Sequence, residues 1–149
     1  MPPIARILVP LDFSPQSARA LAYAEELARR FGAELLLLHV SELLAVVPGS
    51  DLIEAKVLTA QRDLTLLAER LRESGLTASG TVRAGAAHAE IVRVAAAERS
   101  DLIVMGTHGR GGLARALMGS VAERVVRRAG CPVLMVPHAA ANEPHAQAC

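Results

Sequence analysis

Five glycines fall between residues 106 and 120, in the run Gly106-Thr107-His108-Gly109-Arg110-Gly111-Gly112 and again at Gly119. Glycine reaches backbone conformations closed to other residues and lets the main chain approach a ligand closely. Successive exposed N–H groups in such turns make a nest for an anion. Gly119-Ser120 then opens a helix, whose first N–H groups and partial positive charge also favour a phosphate. Ser120 and Glu123 have the spacing of a capping box. These residue types predict a site for a chain of phosphates, held mostly by backbone and by the Ser120 hydroxyl. A second feature is the run Val9-Pro10-Leu11-Asp12-Phe13-Ser14, which puts one carboxylate at the end of an apolar segment. Asp12 is open to two readings, a cap for the helix starting near Ser14 or a ligand contact.

Other phosphate-handling patterns are excluded. The P-loop needs Gly-Lys-Ser/Thr, and the only lysine, Lys56, lies far from the glycines on the second helix of the pattern. The dinucleotide fingerprint should follow the first strand, whereas these glycines follow the fourth. With no lysine to clamp β- and γ-phosphates, hydrolysis at NTPase rates is not expected. Arg110 and Arg115 are the nearby cations. His108 has three readings: a phosphate contact, a catalytic group or a solvent-facing turn residue. No carboxylate is legible to orient its ring, which favours the last. His39, inside an apolar strand, reads as a satisfied core residue, and His88 as exposed. Arg127 and Arg128 suit the C-terminal end of a helix dipole. No Ser-His-Asp set, carboxylate pair or metal cluster is legible. Cys131 and Cys149 form no Cys-x2-Cys; Cys131 reads as a small core residue and Cys149 as a free thiol.

The elements that must hold these residues follow from hydrophobic patterning. The 149 residues are 52% hydrophobic but only 2% aromatic, so aliphatic side chains and alanine must build the core. Strands are expected at 4–9, 34–40, 77–83, 101–105 and 133–136. Helices are expected from Ser14-Pro15 to Gly32, from Ser50 to Gly75, over 88–99 and over 120–129. Leu35-Leu36-Leu37-Leu38 is apolar on both faces, the mark of a buried parallel strand. The expectation is one α/β domain over residues 1–138, a five-stranded parallel sheet with helices on both faces, and a flexible tail over 139–149. A formal net charge of +1 gives no field for steering nucleic acid. No signal peptide or membrane-spanning run is legible, which points to the cytoplasm.

Gly106-x2-Gly109-x9-Gly119-Ser120 is similar to the nucleotide motif of universal stress proteins. The resemblance covers nearly the whole chain. It includes Val9 to Ser14, the Gly85 turn, Asp101 to Gly106 and the closing Cys131-Pro132-Val133-Leu134-Met135-Val136-Pro137. It implies strand order 3-2-1-4-5 and an ATP site, with Mg²⁺ accompanying the phosphates. On that pattern Pro10, Leu11 and Asp12 border adenine and ribose, and Val40 lines the adenine pocket. Met105 and Gly106 flank the nucleoside, and Gly109, Gly119, Ser120 and Val121 hold phosphates, with His108 inside the motif. Asp12 is alternatively a partner for hydrated Mg²⁺. The resemblance further implies a homodimer through Val133-Val136, with the tail covering that edge as the alternative. A nucleotide-binding regulatory or stress-response protein is the leading reading. A slow ATPase or autokinase, and a nucleotide-free interaction module, are the competing ones.

Overall fold

The computed structural model describes residues 2–108 and 118–138, within which strand and helix alternate. The elements are β1 (Arg6–Pro10), α1 (Pro15–Phe31), β2 (Glu34–Ser41), α2 (Glu42–Val46), α3 (Asp51–Glu73), β3 (Ala78–Ala84), α4 (Ala87–Ala97), β4 (Leu102–Gly106), α5 (Ser120–Arg128) and β5 (Val133–Val136). Local chemistry sets several boundaries. The Ser14 hydroxyl accepts from the Ser17 N–H at 3.2 Å, and Pro15 takes the first helical position, where a missing N–H costs nothing. Gly32 closes α1 in the left-handed region at φ 67°, and Gly75 follows α3 at φ 96°.

All strands pair in parallel, in the order β3-β2-β1-β4-β5. Alternate residues of each central strand enter opposite cores. Ile7, Val9, Leu35 and Leu37 pack under α1 and α3, with Ala20, Ala24, Leu64 and Leu71. Leu8, Leu38, Ile103 and Met105 pack under α4 and α5, with Ile91, Val94, Ala122 and Val125. The continuous apolar runs thus belong to strands covered on both sides. Among the described residues no helix is long and apolar enough to cross a membrane.

One element was not expected, and two expectations need correction. The stretch between β2 and Pro48 contains the short helix α2, started by the Ser41 hydroxyl accepting from the Leu44 N–H at 3.4 Å. β1 and β4 run on to Pro10 and Gly106, so both site segments begin inside the sheet. The Ser120–Glu123 capping box does not form. Gly119 is the N-cap, Ser120 is already helical, and Glu123 pairs instead with Arg127 at 2.9 Å. The tail over 139–149, with Cys149, lies outside the described residues, as do Gly109, Arg110 and Arg115.

Candidate functional site

Strand order reverses between β1, which continues to β2, and β4, which continues to β5. In open α/β sheets the crevice beyond the strand ends at such a switch point is where ligands bind. Here it is a cleft of about 1130 Å³. Pro10, Leu11, Asp12, Val40, Met105, Gly106, His108, Gly119, Ser120 and Val121 all lie on its walls. Gly109 lies outside the described residues.

The rim beyond β1 is organised by side chains. Leu11 donates its N–H to the Leu38 carbonyl at 2.7 Å, and the Leu11 carbonyl accepts from His39 Nδ1 at 2.8 Å. Asp12 Oδ1 accepts from the Ser14 N–H at 2.9 Å, a turn that leads into the α1 cap. Phe13 sits at φ 61°, a region that costs a bulky side chain energy and gathers at functional sites. Its ring lies against His39, centroids 5.0 Å apart.

The rim beyond β4 is organised by backbone. Thr107 donates to the Val136 carbonyl at 3.1 Å, and Gly119 returns its N–H to the Thr107 carbonyl at 2.6 Å. A Cβ on Gly119 would stand 3.1 Å from that carbonyl oxygen. At Gly106 a Cβ would meet the His108 carbonyl at 3.3 Å and Gln16 at 3.4 Å. At both glycines a Cβ would be tightly packed, and its neighbours would have to give by a few tenths of an ångström. Gly119 has φ −72°, which any residue can adopt.

With the Gly119 N–H engaged, the N–H groups of Ser120, Val121 and Ala122 begin α5 without intrahelical acceptors. The Ser120 side chain is exposed on the cleft and makes no capping bond. His108 corrects the solvent-facing expectation. Its ring is half-buried, with Nδ1 3.1 Å from the Thr107 hydroxyl. Its Nε2 is buried and finds no hydrogen-bond partner among the described residues.

The remaining walls bring in residues that the sequence kept apart. Lys56, Thr59 and Asp63 of α3 face the same cleft, because α3 begins beside the carboxyl ends of the strands. Lys56 is thus part of the cleft despite its distance along the chain. His39 is satisfied but half-buried on the cleft wall, outside the core. Phe13 was also missed as a cleft residue. Its place directly after Asp12 was the available signal. Among the described residues no group of three His, Cys, Asp or Glu side chains converges on a metal position. Cys131 packs half-buried beside α5, and burial followed by the Asp101 carboxylate pushes its thiol pKa up, the reverse of an activated nucleophile.

Known proteins agree with this architecture. The model of the universal stress protein family matches residues 3–137. Universal stress protein MJ0531 of Methanocaldococcus jannaschii is 36% identical over 146 residues, covering 88% of this chain and 81% of its own. The solved structure of MJ0577, from the same organism, superposes with TM-score 0.82 at 29% identity, covering 93% of this chain and 99% of that one. The structure of an Archaeoglobus fulgidus universal stress protein in complex with dAMP has TM-score 0.65 at 26% identity, covering 88% and 96%. A universal stress protein in complex with cAMP has TM-score 0.69 at 26% identity, covering 91% and 98%. With a family match over most of its length, the chain belongs to the universal stress protein family.

Proposed function

We propose that this protein binds ATP in the cleft between β1 and β4 and acts in the cytoplasm as a regulatory or stress-response factor. One observation carries the reading. Three N–H groups without intrahelical acceptors at the start of α5, and the Ser120 hydroxyl that makes no capping bond, line one cleft wall, with Asp12 on the same cleft. Such donors suit phosphate, while Leu11, Val40 and Met105 give an apolar wall for a base. The dAMP and cAMP complexes of relatives support adenine as that base. In this reading Pro10, Leu11, Asp12 and Val40 border the nucleoside, Met105 and Gly106 flank it, and His108, Gly109, Gly119, Ser120 and Val121 serve the phosphates. A Mg²⁺ ion would neutralise phosphate charge, with Asp12 as the cleft carboxylate that would hold it through water.

Holding the nucleotide is favoured over consuming it. The β4–α5 rim offers backbone donors and no lysine among the described residues. The presence of Lys56 on the α3 wall gives slow phosphoryl transfer one cation to work with, and keeps that reading as the alternative. We further propose a homodimer through β5. Leu134 is 36% exposed on β5, the edge strand of the sheet among the described residues, an arrangement that invites a twofold mate.

The test is to denature the purified protein, identify released nucleotide and then titrate ATP against the thermal midpoint. ATP at a hundred times Kd should stabilise the fold by about 2.7 kcal/mol. Gly109→Val combined with Gly119→Val should abolish that shift. No released nucleotide together with no ATP-dependent shift would overturn the proposal. Labelled ATP that returns unchanged after prolonged incubation favours holding; labelled product favours the alternative.

A further inference from the structure

His39 and Val40 are neighbours on β2, so their side chains leave the sheet on opposite faces. Val40 packs with the α4/α5 core. His39 turns to the α1/α3 side, where its Nδ1 meets the Leu11 carbonyl at 2.8 Å and its ring lies 5.0 Å from that of Phe13. A carbonyl only accepts, so Nδ1 carries the hydrogen and the imidazole is fixed in orientation. The β1 rim is thereby tied to β2 twice, once through the Leu11 N–H to Leu38 and once through the Leu11 carbonyl to His39. Between those ties and the Ser14 cap lie Asp12 and Phe13, the latter held at φ 61°. Backbone in that region persists only where its surroundings hold it. The contacts that surround Phe13 include the His39 ring.

We propose that His39 is a positioning residue for the nucleotide site. It fixes the Leu11–Phe13 rim so that the Asp12 carboxylate is set in the cleft before ligand arrives. Positioning of this kind raises affinity by removing an ordering cost that binding would otherwise meet. The proposal rests on the ATP-binding reading for its affinity effect, but its structural half stands without ligand.

Three substitutions separate the parts. His39→Asn keeps a donor at the δ position. His39→Gln moves the donor one carbon outward. His39→Phe keeps a ring for Phe13 and removes the donor, leaving the Leu11 carbonyl short of a partner. Amide hydrogen exchange of ligand-free protein is read at Leu11 and Ser14, whose N–H groups are bonded within this rim. In His39→Phe and His39→Gln these amides should exchange about tenfold faster, while amides of β4 and α5 keep the wild-type rate. ATP affinity by calorimetry should fall by about the same factor in both, with His39→Asn close to wild type in both measurements. Wild-type exchange in His39→Phe, or no rescue by His39→Asn, overturns the proposal. If wild type itself binds no ATP, the nucleotide reading fails, and exchange at Leu11 and Ser14 still decides whether His39 holds the rim. Faster exchange across the whole chain would mean general destabilisation and would also overturn it.

Discussion

The two rims of the cleft solve the same positioning problem with different materials. Beyond β1 one backbone bond, Leu11 to Leu38, is joined by side chains: Asp12 on the Ser14 N–H, His39 on the Leu11 carbonyl and Phe13 against His39. Beyond β4 it is held by main chain: Gly119 on the Thr107 carbonyl, Thr107 on the Val136 carbonyl, with backbone packed tightly against Gly106 and Gly119. A side-chain rim responds to substitution in steps, because each contact can be shortened, neutralised or replaced. A backbone rim has no such gradation. Anything larger than hydrogen at Gly119 must move the start of α5 or the end of β4.

The largest expected effect is therefore at Gly119. Gly119→Val places a branched Cβ 3.1 Å from the Thr107 oxygen, an atom already engaged by the Gly119 N–H. Overpacking of this kind costs about 1–3 kcal/mol. The loss should appear twice, as a lower denaturation midpoint and as ATP affinity reduced by about ten- to a hundredfold. Wild-type stability and affinity in this variant would show that the backbone rim can yield, and would remove the contrast with the β1 rim.

Asp12→Asn should have a smaller and more selective effect. The amide oxygen can still accept from the Ser14 N–H, so the turn into α1 should be kept. What changes is charge. If Asp12 serves hydrated Mg²⁺, ATP affinity should drop about tenfold with Mg²⁺ present and not at all in EDTA. An equal drop in both buffers assigns the carboxylate to the nucleoside. A large fall in stability would instead make its bond to Ser14 the main role, and the side-chain rim would then be as unforgiving as the backbone one.

The difference between the rims also explains what the sequence could disclose. Glycines at a fixed spacing after an apolar strand are a local pattern, so Gly106 and Gly119 were legible with their strand and helix. The doubly covered sheet was legible for the same reason, since Leu35 to Leu38 are apolar on both faces. The strand order came from the family resemblance, because periodicity does not say which strands are neighbours. His39 and Lys56 were not legible as cleft residues, since each enters through tertiary placement: His39 by the side of β2 it occupies, Lys56 because α3 starts above the strand ends. For Ser120 only the capping role was misread. Its capping spacing was real, but Gly119 already occupied the cap, and one residue of offset turned a structural hydroxyl into one exposed on the cleft.

That offset makes Ser120→Ala the finest test of the backbone rim. A serine acting as N-cap would lose about 0.5–2 kcal/mol of stability on this change. Here the hydroxyl makes no capping bond, and alanine is a better helix former than serine inside the first turn. The thermal midpoint should therefore stay level or rise slightly. ATP affinity should still fall, by about three- to tenfold, the loss of one neutral donor to a charged phosphate, whose place water can take. The N–H groups of Ser120, Val121 and Ala122 remain in place, because they belong to the backbone and not to the residue type. A fall in stability without a change in affinity would return Ser120 to a capping role. A loss of affinity as large as that of Gly119→Val would mean that the hydroxyl, and not the main chain, is the principal phosphate contact.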